Sequence, residues 1–154
     1  MDTEWTVATA LADPRDFFAE YLGHYRVGRA HERDGARRRT DQEEDRLSDQ
    51  VEILFDVLRE VDDVAELLDF VQVGLAQCKT DDEVAYYAAG PIEDVVVHRQ
   101  CLKTPEDIAT FDQIVRRSPA LASTFRDGLV WVSREEISAE SAAMLEKWMP
   151  PGWD

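Results

Sequence analysis

The 154-residue chain carries only two cysteines, Cys78 and Cys101, with no Cys-x-x-Cys spacing. That suggests neither a disulfide scaffold nor a zinc knuckle, and a reducing cytoplasm is the expected compartment. Long hydrophobic runs are missing as well. No apolar stretch approaches the roughly 20 residues that span a bilayer, and 32% charged residues with a mean hydropathy of -0.41 describe a soluble chain rather than a membrane protein. The first residues, Met1-Asp2-Thr3-Glu4-Trp5, lack the basic and then apolar segments of a secretory signal. There is no Gly-rich phosphate loop, no Gly-x-Ser-x-Gly elbow and no His-Glu-x-x-His. The chain is therefore expected to be no enzyme and to use no cofactor.

Basic charge is scarce, and lysine especially so: Lys79, Lys103 and Lys147 are the only three among 17 basic residues, against 33 acids. The net charge of -16 repels nucleic acid and anionic membranes. It attracts basic proteins over a Debye length of about 8 Å at physiological salt. An arginine-biased genome or adaptation to high salt would leave the same mark without any partner.

What the chain has in quantity is helix punctuation. Asp13-Pro14-Arg15-Asp16 predicts a helix start that carries Phe17, Phe18, Tyr21 and Leu22 inward, weakened at its far end by Gly23 and Gly28. Thr40-Asp41-Gln42-Glu43 matches a capping box. After it Leu47, Val51, Leu54, Phe55, Leu58 and Val61 form one apolar stripe. Asp62-Asp63 allows a break, and Leu67, Leu68, Val71 and Leu75 continue on a second helix, so the two are expected to pair as a hairpin. Thr80-Asp81-Asp82-Glu83 is a second capping box. Ala88-Ala89-Gly90-Pro91 is expected to end that helix and start the next. Further starts stand at Thr104-Pro105, Ser118-Pro119 and Ser133-Arg134-Glu135-Glu136, with Gly128 as a C-cap, a brief extended run at Leu129–Val132, and a last helix ending near Trp148.

These signals predict an all-α single domain over residues 1–154. Seven to eight helices would pack as antiparallel pairs, in the manner of a short α-solenoid.

The run Lys79 to Val96, with Ala89-Gly90-Pro91-Ile92-Glu93-Asp94-Val95 at its centre, resembles an uncharacterised family of small bacterial helical domains. In that family a short helix ends in Ala-Gly and the next begins Pro-Leu-Glu-Asp-Leu, and here Ile92 and Val95 stand where leucines are usual. With the preceding stretch, Val51 to Gln77, the resemblance covers about half of the chain. It implies a HEAT-like fold and no known activity.

Candidate chemistry is sparse. His98 and Cys101, with His24 and His31, are the only pairs that offer metal ligands, and nothing in the sequence brings the two pairs together. Glu93, Asp94 and His98 suit an acid–base turn, but opposing the helix dipole explains them equally. The one basic island, residues 26–39, holds Arg26, Arg29, Arg33, Arg37, Arg38 and Arg39 against Glu32 and Asp34. It lacks interleaved aromatics for base stacking and is expected to be a flexible connection that leans on the acidic body. Trp131, Trp148 and Trp153 either form an exposed patch or pin the last helix.

The residues expected to bind a partner are Asp41, Glu44, Asp45, Asp49, Glu52, Asp56, Glu60 and Asp63, on an acidic helix face. The partner expected for them is a basic protein such as a bacterial toxin, with the chain acting as an immunity protein or antitoxin-like inhibitor. Two further expectations are an inhibitor that mimics nucleic acid and a scaffold domain without catalysis.

Overall fold

The computed structural model of the chain describes residues 4–98 and 102–154. The described residues are all-α, with eight α-helices and no strand. They are α1 (Val7–Ala12), α2 (Pro14–Asp34), α3 (Asp41–Glu60), α4 (Val64–Gln77), α5 (Asp81–Tyr87), α6 (Pro105–Arg117), α7 (Pro119–Arg126) and α8 (Ala139–Leu145). Two π-helical segments, Ala88–Ile92 and Asp94–His98, follow α5, and one 3₁₀ turn, Arg134–Glu136, precedes α8.

Most predicted starts form as expected, because each gives the orphan N–H groups of a first turn a side-chain acceptor. Thr40 and Ser133 make complete capping boxes, and the hydroxyls of Thr104 and Ser118 cap helices that open on Pro105 and Pro119. α1 was not anticipated. Its box is built from two threonines, Thr6 and Thr9, rather than from Thr and Glu. Asp13 makes no side-chain cap, although Pro14 opens α2 as predicted. At Thr80 only half of the expected box forms. The hydroxyl accepts from the Glu83 N–H, while the Glu83 carboxylate turns to Arg26 and the Lys79 N–H.

Four expectations are corrected. First, α2 continues through Gly23 and Gly28 to Asp34 and stops at Gly35, whose φ of 65° suits a glycine. Arg26, Arg29 and Arg33 therefore stand on a helix, and the connection shrinks to residues 35–40. Second, α3 and α4 do not form a close hairpin: each packs more extensively on α2 than on the other. Third, Gly90-Pro91 does not break the chain. Proline lacks the N–H an α-helix needs and crowds the carbonyl four residues back, and here the backbone widens into a π turn and continues. Fourth, no long last helix runs from Ser133; a single 3₁₀ turn is followed by α8, capped by Ser138 and ending at Leu145. Gly128 does end α7. With φ at 71°, its N–H reaches the Phe125 carbonyl and that of Leu129 the Thr124 carbonyl, the paired bonds of a Schellman motif.

Phe17, Phe18, Tyr21 and Leu22 of α2 meet Leu54, Val57 and Leu58 of α3 and Leu67, Leu68, Phe70 and Val71 of α4 in one core. Phe18 lies at its centre, 4.8 Å from the Phe70 ring and 5.5 Å from Tyr87. Each such side chain contributes roughly 1.5–3 kcal/mol when fully buried. Tyr87 crosses over Gly74 to donate its hydroxyl to the Val71 carbonyl at 2.6 Å. A Cβ at position 74 would collide with that hydroxyl. The core continues through Phe111, Val115, Leu121, Phe125 and Leu145, and through Val130 and Val132 of the segment expected to be extended. α2 packs on α4, α4 on α6 and α6 on α8, a row of next-but-one helices, while α1 packs on α3 and α5 on α7.

Candidate functional site

The capping box at Thr40 sets where α3 begins, and the stripe ending at Leu58 sets which side faces the core. The remaining side is then fixed. Asp41, Asp45, Asp49, Glu52, Asp56 and Glu60 recur at steps of four, four, three, four and four, the spacing of neighbours on one helix face. All but the half-buried Asp56 are exposed. The row runs about 28 Å at a rise of 1.5 Å per residue. Asp41, Asp45, Asp49, Glu52 and Glu60 make no ion pair among the described residues. Two of the other expected residues have local duties. Glu44, on the flank, pairs with Arg39 at 2.8 Å, and Asp63 caps α4 by accepting the Ala65 and Glu66 N–H groups. Asp56 pairs with Arg59 one turn on.

The arginine island explains why the row is left uncompensated. Arg26 donates to Glu83 and Arg29 to Asp82 at 3.0 Å, and Arg33 forms an ion pair with Asp82 at 3.4 Å, tying α2 to the start of α5. Tyr25 joins them with a 2.6 Å hydroxyl bond to Asp82 and stacks on Tyr86 at 4.0 Å. Arg37 pairs with Glu43 and Arg39 with Glu44, binding the connection to α3. Arg39 also lies across Gly28 to reach the His24 carbonyl. Arg46 of α3 turns to Glu20, which also accepts from Trp5 and Gln50. The cations thus face the helix junctions, and the acids beyond their reach face outward.

The partnered carboxylates show this in their acidity. Burial raises the pKa of Glu83, but Arg26, the Lys79 N–H and the Thr80 hydroxyl together hold it below the usual value. Burial likewise opposes Arg46 and Trp5 at Glu20, which still ends below its ordinary value. The Tyr25 hydroxyl and Arg29 lower Asp82.

A second feature lies beside the row. Phe55, expected in the core stripe, is 51% exposed. It stands at the edge of that stripe, between Glu52 and Asp56. With Leu58, Arg59, Ala89, Gly90, Glu93 and Asp94 it lines an open groove of about 620 Å³. Glu93 also lines an adjoining groove of about 590 Å³ with Val97, Val130, Trp131, Val132, Met149 and Trp153. Its carboxylate accepts the Trp131 backbone N–H at 3.0 Å, a link that no local sequence pattern announces. Trp131 is 82% exposed, whereas Trp148 donates to Asp112 and Trp153 to the Val132 carbonyl. Of these three tryptophans one is exposed and two are pinned.

The metal-ligand pairing is only partly visible. Cys101 and the His98 side chain lie outside the described residues. His24 is buried on α2, and His31 bonds the Ala36 carbonyl. No group of three His, Cys, Asp or Glu side chains suited to a metal occurs among the described residues. Burial pushes the Cys78 thiol up to about 12, helped by the charge of Glu83, so it stays protonated and a poor nucleophile at neutral pH. No helix among the described residues is long and apolar enough to cross a membrane. No family model, curated protein or solved structure matches the chain.

Proposed function

We propose that this protein is a binding module whose outer α3 face docks on a basic protein. An immunity protein or antitoxin-like inhibitor of a bacterial toxin is the form that best suits its size and charge. The observation that carries the reading is the row Asp41, Asp45, Asp49, Glu52 and Glu60, exposed and without ion pairs among the described residues, while Arg26, Arg29, Arg33, Arg37 and Arg39 are spent on acids of the α2–α3–α5 junctions. Such a face steers a basic partner and speeds encounter, at a rate that falls with salt. The α2–α4–α6–α8 row supports reading the architecture as a short stack of helix pairs, and stacks of this kind present extended binding surfaces.

The same row favours one alternative, mimicry of nucleic acid, because its carboxylates lie on a continuous line. DNA carries one charge per ~3.4 Å of each strand, whereas five acids over about 28 Å are sparser. A basic protein surface is the better fit.

The test is affinity capture from the native host at low and high salt, with wild type beside the Asp45→Asn, Asp49→Asn, Glu52→Gln triple variant. A basic protein retained by wild type at low salt, lost at high salt and lost from the variant supports the reading. Equal recovery by both baits refutes it. If the recovered partner is a nucleic-acid-binding protein displaced by DNA, the mimicry reading takes its place.

A further inference from the structure

We infer that the two grooves meeting at Glu93 form an anchor site for one large apolar side chain flanked by lysine or arginine on a partner protein. The inference rests on the acidic-surface reading for the sign of the partner's charge and extends it to a defined pocket.

The three large hydrophobic side chains that stay exposed among the described residues are Phe55, Leu129 and Trp131. Phe55 lines the first groove and Trp131 the second, and Leu129 lies two residues before Trp131. Glu93 lines both grooves and is held in place by the Trp131 N–H. The first groove passes over Ala89 and Gly90, on the π-helical segment that Pro91 imposes. Small side chains there leave the backbone open: the nearest side chain to a Cβ built on Gly90 is the Tyr21 hydroxyl at 3.9 Å. An aromatic or aliphatic side chain laid on Gly90 would touch Phe55 and the buried Leu58. Interface hot spots have this form, an apolar anchor in a pocket rimmed by charge.

The charge decides the occupant. Glu93 lines both grooves, and the one arginine among their described lining residues, Arg59, is paired with Asp56. Glu52 and Glu60 of the α3 row continue the acidic field past Phe55. A second copy of this chain would bring another net charge of -16 against this field, and an acidic or neutral segment would leave it unanswered. A basic segment satisfies both parts of the surface, its apolar residue in the groove and its cations at Glu93 and along α3.

The test uses three acetylated, amidated pentapeptides: leucine between paired lysines, glycine between paired lysines, and leucine between paired glutamates. Each is titrated into the ¹⁵N-labelled full chain and followed by NMR shifts. The lysine–leucine peptide is expected to move the Gly90 and Glu93 amides and the Trp131 indole. The glycine peptide should bind at least about fivefold more weakly and the glutamate peptide not at all, a difference typical of losing one anchor. Phe55→Ser removes an exposed ring, and Glu93→Gln keeps an acceptor for the Trp131 N–H while removing the charge. Each should weaken the lysine–leucine peptide by about fivefold or more, with an unchanged spectrum elsewhere. Shifts confined to the Asp41–Glu52 face, equal for leucine and glycine, would overturn the anchor site while leaving the acidic-surface reading in place. Absence of binding by either lysine peptide would overturn both. A concentration-dependent dimer in sedimentation, abolished by Phe55→Ser, would assign the groove to a second copy and also overturn the proposal.

Discussion

Arg26 on α2 and Glu83 on α5, 57 residues apart in the chain, are joined by a guanidinium bond of 2.8 Å from Nε, and Nη2 of the same arginine reaches the Gln77 carbonyl. One side chain thereby fixes the start of α5 and the end of α4 to the middle of α2. The Glu83 side chain is almost fully buried and that of Arg26 about one-third exposed.

Acid is expected to weaken this joint. The folded pKa of Glu83 is lowered, as are those of Asp82 and Glu20. Their stabilisation is therefore complete above the unfolded carboxylate values near 4 and is lost as pH falls through the lower folded values. Urea unfolding at a series of pH values should show stability declining below about pH 5. Glu83→Gln should cost about 2 kcal/mol at pH 7, the usual loss for a hydrogen bond to a charged group, and should flatten the decline. An unchanged pH profile in the variant would show that Glu83 contributes nothing.

Gly74→Ala places a Cβ against Tyr87, whose ring atoms would lie 2.6 and 2.7 Å away. Because Tyr87 is fully buried, it has no room to yield, and the expected cost is about 1–3 kcal/mol. Tyr87→Phe alone should lose about 1 kcal/mol through the Val71 hydrogen bond. Added to Gly74→Ala, it should restore only part of the loss, since the ring contacts persist. Thermal melts of the three variants check this order.

The tryptophans should separate cleanly. Trp148 donates to Asp112 and lies beneath Arg116 and Lys147, so Trp148→Phe should cost about 1 kcal/mol. Trp131→Ser should change stability by less than about 0.5 kcal/mol, as at other exposed positions. It should also remove most of the acrylamide-quenchable fluorescence. Comparable losses for both would contradict the difference in exposure.

Helix starts were legible because capping is local: Thr40, Thr80, Thr104, Ser118 and Ser133 each satisfy N–H groups within three residues. Helix ends were less so. Gly23 and Gly28 weaken a helix by propensity, but tertiary contacts override it, with Arg39 packed on Gly28 and Phe17 to Leu22 anchoring the turn before. Pro91 follows the same logic, since the buried Ala88, Ile92 and Val95 hold the segment helical. The acidic row was legible from its spacing on α3. Phe55 was not, because it lies at the margin between the apolar stripe and the acids, where one step of 100° decides its side. The Glu93–Trp131 bond spans 38 residues, and no sequence period reports a contact of that range.

The most direct test of the central claim is the salt dependence of the association rate between the full chain and its basic partner, once captured from the host, measured by stopped flow for wild type and for the Asp45→Asn, Asp49→Asn, Glu52→Gln variant. A steered encounter predicts a wild-type rate that falls steeply with ionic strength and a variant rate that is slower and much flatter. Identical rates and slopes for the two proteins would contradict a binding role for the outer face of α3.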